Sequence, residues 1–129
     1  MERLKSLSDK RLIIECKVNN KSAYFLIDTG ATIGLINQDK IKEFDLLVGN
    51  KYRGTLIGIG GEINNIKHCN TFICVGDRSI PQFLLADISS VVNSIKDQTG
   101  IEILGIISLN QLKIANISID CNDNEIILE

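Results

Sequence analysis

The chain has 129 residues, a formal net charge of −2 at pH 7 and 44% hydrophobic residues. This length and apolar content are typical of one folded domain with a buried core, and they exclude a disordered chain. Acidic and basic residues are interspersed, so there is no basic stripe for nucleic acid or an anionic membrane. No apolar run approaches the roughly 20 residues of a membrane span and the first residues lack a signal core, so we expect a cytoplasmic protein.

The first part of the chain predicts a β-hairpin that ends in an acid. Residues 1–10 have no clear strand pattern and are predicted to be an N-terminal arm, whereas residues 11–129 are predicted to form one domain. Apolar and polar residues alternate with a period of two in residues 11–18, which predicts a strand. A turn rich in asparagine then leads into a second strand, residues 23–28.

The middle of the chain predicts further strands and one helical turn. Residues 33–36 form a short apolar strand, and Asn37 can cap a helical turn at residues 38–44. Residues 54–59 and 62–75 are predicted as the two arms of a hairpin, of which the second continues as a long returning strand.

The last part of the chain predicts one more strand, two helices and a terminal hairpin. Residues 76–79 are a turn, and residues 80–86 are a strand. A helix capped by Asp87 or Ser90 runs through about Ile95, and a second helix begins at Gly105 and ends at Leu112. The chain closes with strands at residues 117–120 and 125–128. The fold class predicted for the whole chain is therefore all-β with short helices.

A carboxylate at the end of an apolar strand is the first candidate for chemistry. Asp28 follows the apolar residues of the second strand and is followed at once by Thr29 and Gly30. A charge in such a place is costly unless it has partners, which the Thr29 hydroxyl and the Gly30 amide can supply. Functional sites are where such an arrangement is typically kept. Ala31 and Thr32 complete this loop, which we call the Asp28 loop (residues 28–32).

A glycine-rich segment is the second candidate. Apolar residues alternate with glycines in the tip of a predicted hairpin, and paired glycines can adopt the positive φ that tight turns require. The tip consists of Ile57, Gly58, Ile59, Gly60 and Gly61.

These segments resemble those of a known family in their order along the chain. The run Asp28-Thr29-Gly30-Ala31 resembles the Asp-Thr-Gly signature of aspartic proteases, in the form of the retroviral-type members. Ile103-Leu104-Gly105 resembles the hydrophobic-hydrophobic-Gly element that packs beneath the active-site loop. The resemblance to bacterial retropepsin-like aspartyl proteases covers roughly residues 11–129. It implies a single retropepsin-like β-barrel lobe with a flap hairpin that is active as a homodimer.

The resemblance also implies a role for each matched residue. Asp28 would be the catalytic acid and would share a proton with Asp28 of a second copy, because the chain has no second Asp-Thr/Ser-Gly. Thr29 would hydrogen-bond across the dimer, Gly30 would let the substrate backbone approach, and Ala31 and Thr32 would line the site. The glycine-rich tip would be a flap that binds the substrate, and Leu104 and Gly105 would give structural support. The implied partners are a second copy and an extended peptide substrate, without nucleic acid, metal or cofactor.

The four cysteines do not form a metal or redox motif in the sequence. Cys16, Cys69, Cys74 and Cys121 include no Cys-x-x-Cys unit, and the chain has one histidine, His68. We interpret them as free thiols that are mainly buried, because cysteine is among the most buried residue types and the expected compartment is reducing.

Other interpretations of the same residues stay open at this point. The fold could serve as a non-catalytic dimerisation or peptide-binding module, which holds an extended segment by strand addition without cleaving it. The Asp28 loop could be a plain polar turn, and residues 58–61 could be an ordinary hairpin. Asp87 is interpreted as a helix cap rather than as a catalytic acid.

Overall fold

The computed structural model describes residues 1–54, 56–58, 61–63 and 65–129, with residues 56–58 and 61–63 described as strand backbone only. These residues form fourteen strands and two α-helices, so the predicted all-β class with short helices is confirmed. The strands are β1 Glu2–Lys5, β2 Ile13–Val18, β3 Lys21–Asp28, β4 Gly34–Asn37, β5 Val48–Lys51, β6 Leu56–Gly58, β7 Gly61–Ile63, β8 Lys67–Cys69, β9 Ile73–Val75, β10 Arg78–Ile80, β11 Phe83–Ala86, β12 Gly105–Ser108, β13 Ile117–Asp120 and β14 Glu125–Leu128. The helices are α1 Ser89–Thr99 and α2 Leu109–Ile114, and Gln38–Lys40 form a 3-10 turn. In the described part of the chain, no helix has the length and apolar character needed to cross a membrane.

The largest sheet has nine strands in the order β10-β9-β2-β3-β12-β4-β11-β8-β5. Its central feature is β12, which comes late in the sequence but lies between β3 and β4. It runs parallel to β3 and antiparallel to β4. This insertion places residues 105–108 directly beside residues 25–28, the end of β3 that carries Asp28.

The nine-stranded sheet is covered on both faces by apolar side chains. Phe25, Ile27 and Ile107 belong to one buried cluster, while Leu26 and Ile106 belong to the other. A strand with two buried faces reads as a continuous apolar run, which is why the sequence around β3 and β12 lacks polar alternation. β3 and β12 are thus packed between the two clusters at the centre of the sheet.

A second sheet of three strands, in the order β1-β14-β13, joins the two ends of the chain. Strand β1 pairs antiparallel with β14 and falls in the segment for which no strand pattern was recognised. The sequence of β1 shows no apolar–polar alternation, because Leu4 is its one apolar and partly buried residue and the other three are charged and exposed. Arg3 on the other face donates to Asp120 at 3.0 Å and to Glu125 at 3.3 Å.

The prediction of one continuous strand at residues 62–75 is wrong, because this segment contains three separate strands, β7, β8 and β9. Each belongs to a different pairing: β7 pairs with β6, β8 with β11 and β5, and β9 with β2 and β10. The predicted strand at residues 80–86 is likewise broken between β10 and β11, where Pro81 precedes Gln82 with φ of 68°. Strand β5 was not predicted, because its mostly exposed residues lack an apolar face.

The predicted helix from Gly105 to Leu112 is wrong at its start. Gly105–Ser108 continues as strand β12, because all four residues are buried and pair with β3. Helix α2 begins at Leu109, where the Ser108 side chain accepts from the Gln111 amide in a capping box.

The other two predicted helices exist with different bounds. Only Gln38–Lys40 of residues 38–44 are a 3-10 turn, and Asn37 caps it as expected by accepting from the Asp39 amide. Helix α1 extends beyond Ile95 to Thr99 and ends at Gly100, whose φ is 77°. The N-cap residue of α1 is Ile88, without a side-chain cap, so the predicted caps Asp87 and Ser90 are wrong. Asp87 lies one residue earlier and accepts from the Ser89 hydroxyl and amide, which lowers the pKa of its carboxyl.

All four cysteines are free thiols, as predicted, but only two of them are buried. Cys16 and Cys69 lie in the first apolar cluster, Cys74 is partly exposed and Cys121 is exposed. Burial raises the pKa of the Cys16 thiol, so this residue stays protonated and unreactive.

The close approach of β12 to its neighbours gives a first prediction. A Cβ at Gly105 would collide with the backbone oxygen of Leu35 and lie 2.7 Å from the Phe25 ring. We expect Gly105→Ala to lower the free energy of unfolding by about 1–3 kcal/mol or more, as overpacking does in well-packed cores. Gly100→Ala is the comparison, because a Cβ there meets no atom within 4 Å and only the left-handed backbone opposes it. Urea unfolding measures both, and a smaller loss for Gly105→Ala than for Gly100→Ala would contradict the packing argument.

The contact between Arg3 and Asp120 gives a second prediction. The Arg3 guanidinium, and then the Asp123 amide, hold the pKa of Asp120 below its usual range. Such a carboxylate adds stability above its unfolded-state pKa, and this contribution is lost as the pH falls through the lower folded-state pKa. We therefore expect part of the loss of stability below about pH 4 to come from this contact.

Thermal unfolding of the wild type and of Asp120→Asn between neutral and strongly acidic pH tests this second prediction. The melting temperature of Asp120→Asn should be lower at neutral pH and should fall less steeply on acidification. Asp9→Asn is the matched control, because Asp9 is exposed and has no ion pair among the described residues. Parallel curves for the wild type and Asp120→Asn would refute the assignment.

Candidate active site

Asp28 is the last residue of β3, at the point where the central strands end. Strand β12 runs parallel to β3, and its last residue, Ser108, is in register with Asp28. Asp28 is partly exposed, whereas Ser108 is fully buried. The apolar β3 thus delivers a carboxylate to the surface at the edge of the core.

The Asp28 loop is closed by two hydrogen bonds of its own. The Gly30 amide donates to Oδ1 of Asp28 at 3.0 Å, and the Ala31 amide donates to the Asp28 carbonyl at 3.1 Å. The predicted partner amide at Gly30 is therefore present. No described residue donates to Oδ2 of Asp28, so this oxygen stays available to water or to another molecule.

The other residues of the Asp28 loop differ in their surroundings. Thr29, Gly30 and Thr32 are exposed, while Ala31 is partly buried and packs against the second apolar cluster. The predicted hydrogen bond of Thr29 would need a second molecule, and no described residue of the same chain contacts its hydroxyl through a hydrogen bond.

Helix α2 holds the second half of the Asp28 loop. The Leu109 amide donates to the Ala31 carbonyl at 3.4 Å, and Nδ2 of Asn110 donates to the Thr32 carbonyl at 3.1 Å. The loop carbonyls thus find donors at the start of α2. Asn110 was missed by the sequence reasoning because it falls outside every motif that was recognised.

The buried side chain of Gln111 holds the start of α2 by hydrogen bonds to two backbone groups. It is 2% exposed, and its Oε1 accepts from the Ser108 amide at 2.8 Å while its Nε2 donates to the Pro81 carbonyl at 2.7 Å. Gly34 leaves room for this side chain, since a Cβ there would collide with the Gln111 amide group. The Ser-x-x-Gln pattern of a capping box was the signal that could have located it.

Leu104 and Gly105 lie between β3 and β4, the two strands that flank the Asp28 loop. The Leu104 amide donates to the Tyr24 carbonyl at 2.7 Å, and the Leu104 carbonyl accepts from the Asn37 amide at 2.9 Å. These bonds tie β3 and β4, the strands on either side of the Asp28 loop, to the same residue.

The predicted glycine hairpin is present as paired backbone. Strands β6 and β7 are antiparallel, with Ile57 opposite Glu62 and Gly58 opposite Gly61. Ile59 and Gly60 lie outside the described residues. A role as a flap stays a prediction.

A cavity of about 300 Å³ adjoins the loop on the side of α2 and of strands β8 and β11. Thr32 and Asn110 connect it to the Asp28 loop, and Leu84 lies on the sheet face that it covers. Tyr52 and His68 meet edge to face in its wall, with ring centroids 5.8 Å apart. We refer to this cavity as the His68 pocket. No sequence motif predicts that its lining residues lie together.

One group of potential metal ligands occurs in the described part of the chain, and it is remote from the Asp28 loop in the fold. Asp120, Asp123 and Glu125 lie in the terminal hairpin, where Arg3 already binds two of these carboxylates. The geometry of the Asp28 loop itself suits acid–base chemistry by a carboxylate.

Comparison with known proteins agrees with this geometry. A family model described as aspartyl protease matches residues 14–110, which include the Asp28 loop and β12. A search of the curated proteins finds none that matches the chain.

Solved structures share the fold at low sequence identity. The EIAV protease in complex with the inhibitor HBY-793 has 20% identity and a TM-score of 0.63, covering 91% of this chain and 99% of its own. The retroviral protease-like domain of Ddi1 from Leishmania major has 21% identity and a TM-score of 0.63, covering 92% and 88%. A retropepsin-like aspartic protease from Rickettsia conorii has 17% identity and a TM-score of 0.61, covering 98% and 97%. The chain therefore has a retropepsin-like fold and belongs to the aspartyl protease family.

Proposed function

We propose that the chain is an aspartic endopeptidase that hydrolyses peptide bonds as a homodimer, with Asp28 from each copy in one active site. The observation that carries this proposal is the hydrogen bonding of the two oxygens of the Asp28 carboxylate. One oxygen is held by the Gly30 amide, while the other accepts no hydrogen bond from a described residue. A carboxylate that is oriented and still free on one oxygen is suited to act on water or on a substrate.

The reaction requires two carboxylates that share one proton. The ionised Asp28 takes a proton from a water molecule, whose oxygen attacks the carbonyl carbon of the scissile bond. The protonated Asp28 of the other copy donates its proton to the carbonyl oxygen. The first carboxyl then passes its proton to the leaving nitrogen, and the second carboxylate takes a proton back from a hydroxyl of the tetrahedral intermediate. Collapse of the intermediate breaks the C–N bond and leaves the acid pair with one shared proton. One proton suffices because two carboxylates about 3 Å apart cannot both be ionised.

The second carboxylate must come from another copy because each chain supplies one Asp28 loop. A two-fold axis between the two loops gives an isologous interface, in which Thr29 of each copy meets the opposite loop. Apolar surface near the loop supports this placement. Leu109, which donates to the loop, is 37% exposed, and Ile114 at the other end of α2 is 56% exposed.

The hairpin of β6 and β7 would cover the substrate in this dimer. An extended peptide between the hairpin and the two Asp28 loops can bond to their backbone groups by strand addition. Gly30 would let the peptide backbone approach closely, because Gly30 is exposed and has no Cβ.

The third prediction concerns the acid itself. Asn has the shape of Asp but cannot accept the proton, so we expect Asp28→Asn to lower peptide cleavage by about 10²-fold to 10⁴-fold or below detection. Circular dichroism and sedimentation should show an unchanged fold and dimer. Asp39→Asn is the matched control, since Asp39 is exposed in the 3-10 turn and lies outside the site. Equal cleavage by the wild type and Asp28→Asn would remove Asp28 from the mechanism; binding of peptides without cleavage by the wild type would favour the non-catalytic module.

The fourth prediction concerns assembly. If each copy contributes one aspartate, specific activity should fall on dilution along the same curve as the dimer fraction. An excess of Asp28→Asn chains should inhibit the wild type by forming mixed dimers. Sedimentation and activity measured over the same concentration range test this. A fully active monomer would contradict the shared site.

A further inference from the structure

The His68 pocket has the chemistry of a site for one side chain of a ligand. Its cavity of about 300 Å³ is at the lower end of the size of ligand sites in proteins. It combines an apolar base with groups that can hydrogen-bond. The residues that carry the argument are Thr32, Tyr52, His68, Gln82, Leu84 and Asn110.

The polar side chains of the lining can donate hydrogen bonds. The Tyr52 hydroxyl, the Gln82 amide and the Thr32 hydroxyl can each donate, and the imidazole of His68 carries at least one N–H in any protonation state. None of the described lining residues has a carboxylate. A cationic side chain would therefore find no opposite charge among these residues.

Basic residues are adjacent in the sequence to two residues of the pocket wall. Lys51 and Arg53 flank Tyr52 in the sequence, and Lys67 precedes His68. Lys51 and Lys67 are in register across β5 and β8, and none of the three has a salt bridge to a described residue. Adjacent residues of a strand face opposite sides of a sheet, so these charges act on the pocket only through their long-range field, which extends about 10 Å in salt solution and favours the opposite charge.

The backbone at the pocket is strained at one residue. Seven non-glycine residues of the described chain have positive φ; all but Gln82 are Asn or Asp, which tolerate this conformation. Gln82, with φ of 68°, lines the pocket and follows Pro81, whose carbonyl is held by Gln111. Strain of this kind clusters at ligand sites, because a site can require a side chain that the backbone does not favour.

We propose that the His68 pocket binds an acidic side chain of the peptide substrate and so sets the specificity of the enzyme. The carboxylate of a bound Glu or Asp would accept from the Tyr52 hydroxyl and the His68 imidazole, within the positive field of the adjacent lysines and arginine. Thr32 joins the pocket to the Asp28 loop, so a side chain in the pocket belongs to the same peptide that lies across the aspartates. This inference rests on the proposed function for its meaning as specificity, but the binding itself can be measured without cleavage.

Peptide binding to the Asp28→Asn dimer is the direct test. Short fluorescent peptides of an uncharged Ala and Val background would carry Glu, Gln or Lys at one position, scanned along the chain. We expect the Glu peptide to bind about tenfold more tightly than the Lys peptide at one position. His68→Leu and Lys67→Gln should each reduce this ratio. Lys10→Gln, which removes an exposed charge outside the pocket, should leave it unchanged. Circular dichroism confirms that each variant is folded.

Cleavage of the same peptides by the wild type separates this inference from the proposed function. Cleavage with kcat/KM equal for Glu, Gln and Lys at every position would overturn the inference and leave the endopeptidase intact. A Glu preference in binding without any cleavage would overturn the endopeptidase and leave the pocket. A preference that His68→Leu and Lys67→Gln do not change, or no binding of any peptide, would overturn the inference.

Discussion

The insertion of β12 between β3 and β4 is the constraint on which the rest of the structure depends. Parallel pairing with β3 sets Ser108 beside Asp28, and antiparallel pairing with β4 sets Gly105 beside Ile36. The chain that leaves β3 must therefore cross over β12 before it can form β4. The Asp28 loop is this crossing, and its position follows from the pairing of buried strands rather than from contacts of its own. The apolar character of β3 and β12 is thus a requirement of the site as much as of the core.

A loop that crosses a strand exposes carbonyl groups that the sheet cannot pair. The start of α2 supplies the missing donors, because the chain passes from β12 into this helix just below the loop. Leu109 and Asn110 bind the loop carbonyls, and Gln111 binds Ser108 and Pro81. No buried side-chain nitrogen or oxygen of the described residues lacks a partner, so this polar layer is complete. Complete networks in a low-dielectric interior are rigid, which is what an oriented carboxylate needs.

A feature could be predicted from the sequence where it depends on a residue and its immediate neighbours in the chain. The position of Asp28 at the end of an apolar strand and before a glycine turn follows from local chemistry. The sequence was insufficient where a feature depends on distant segments. Strand β1 is held by β14 at the other end of the chain, and the His68 pocket collects residues from separate strands and loops. The helix at Gly105 was misplaced because glycine before an apolar run suits either a strand or a helix start, and only the pairing with β3 decides.

The proposed dimer also gives a physical reason for the partial exposure of Asp28. A carboxylate that is fully buried in a single chain would cost several kcal/mol before any partner is bound. The carboxylate keeps contact with solvent and, among the described residues, accepts a hydrogen bond from the Gly30 amide alone, so the monomer can fold without that cost. Desolvation would then occur on assembly, when the second carboxylate arrives and one shared proton removes one of the two charges. Folding, assembly and activation of the acid pair would in this way be coupled through a single residue.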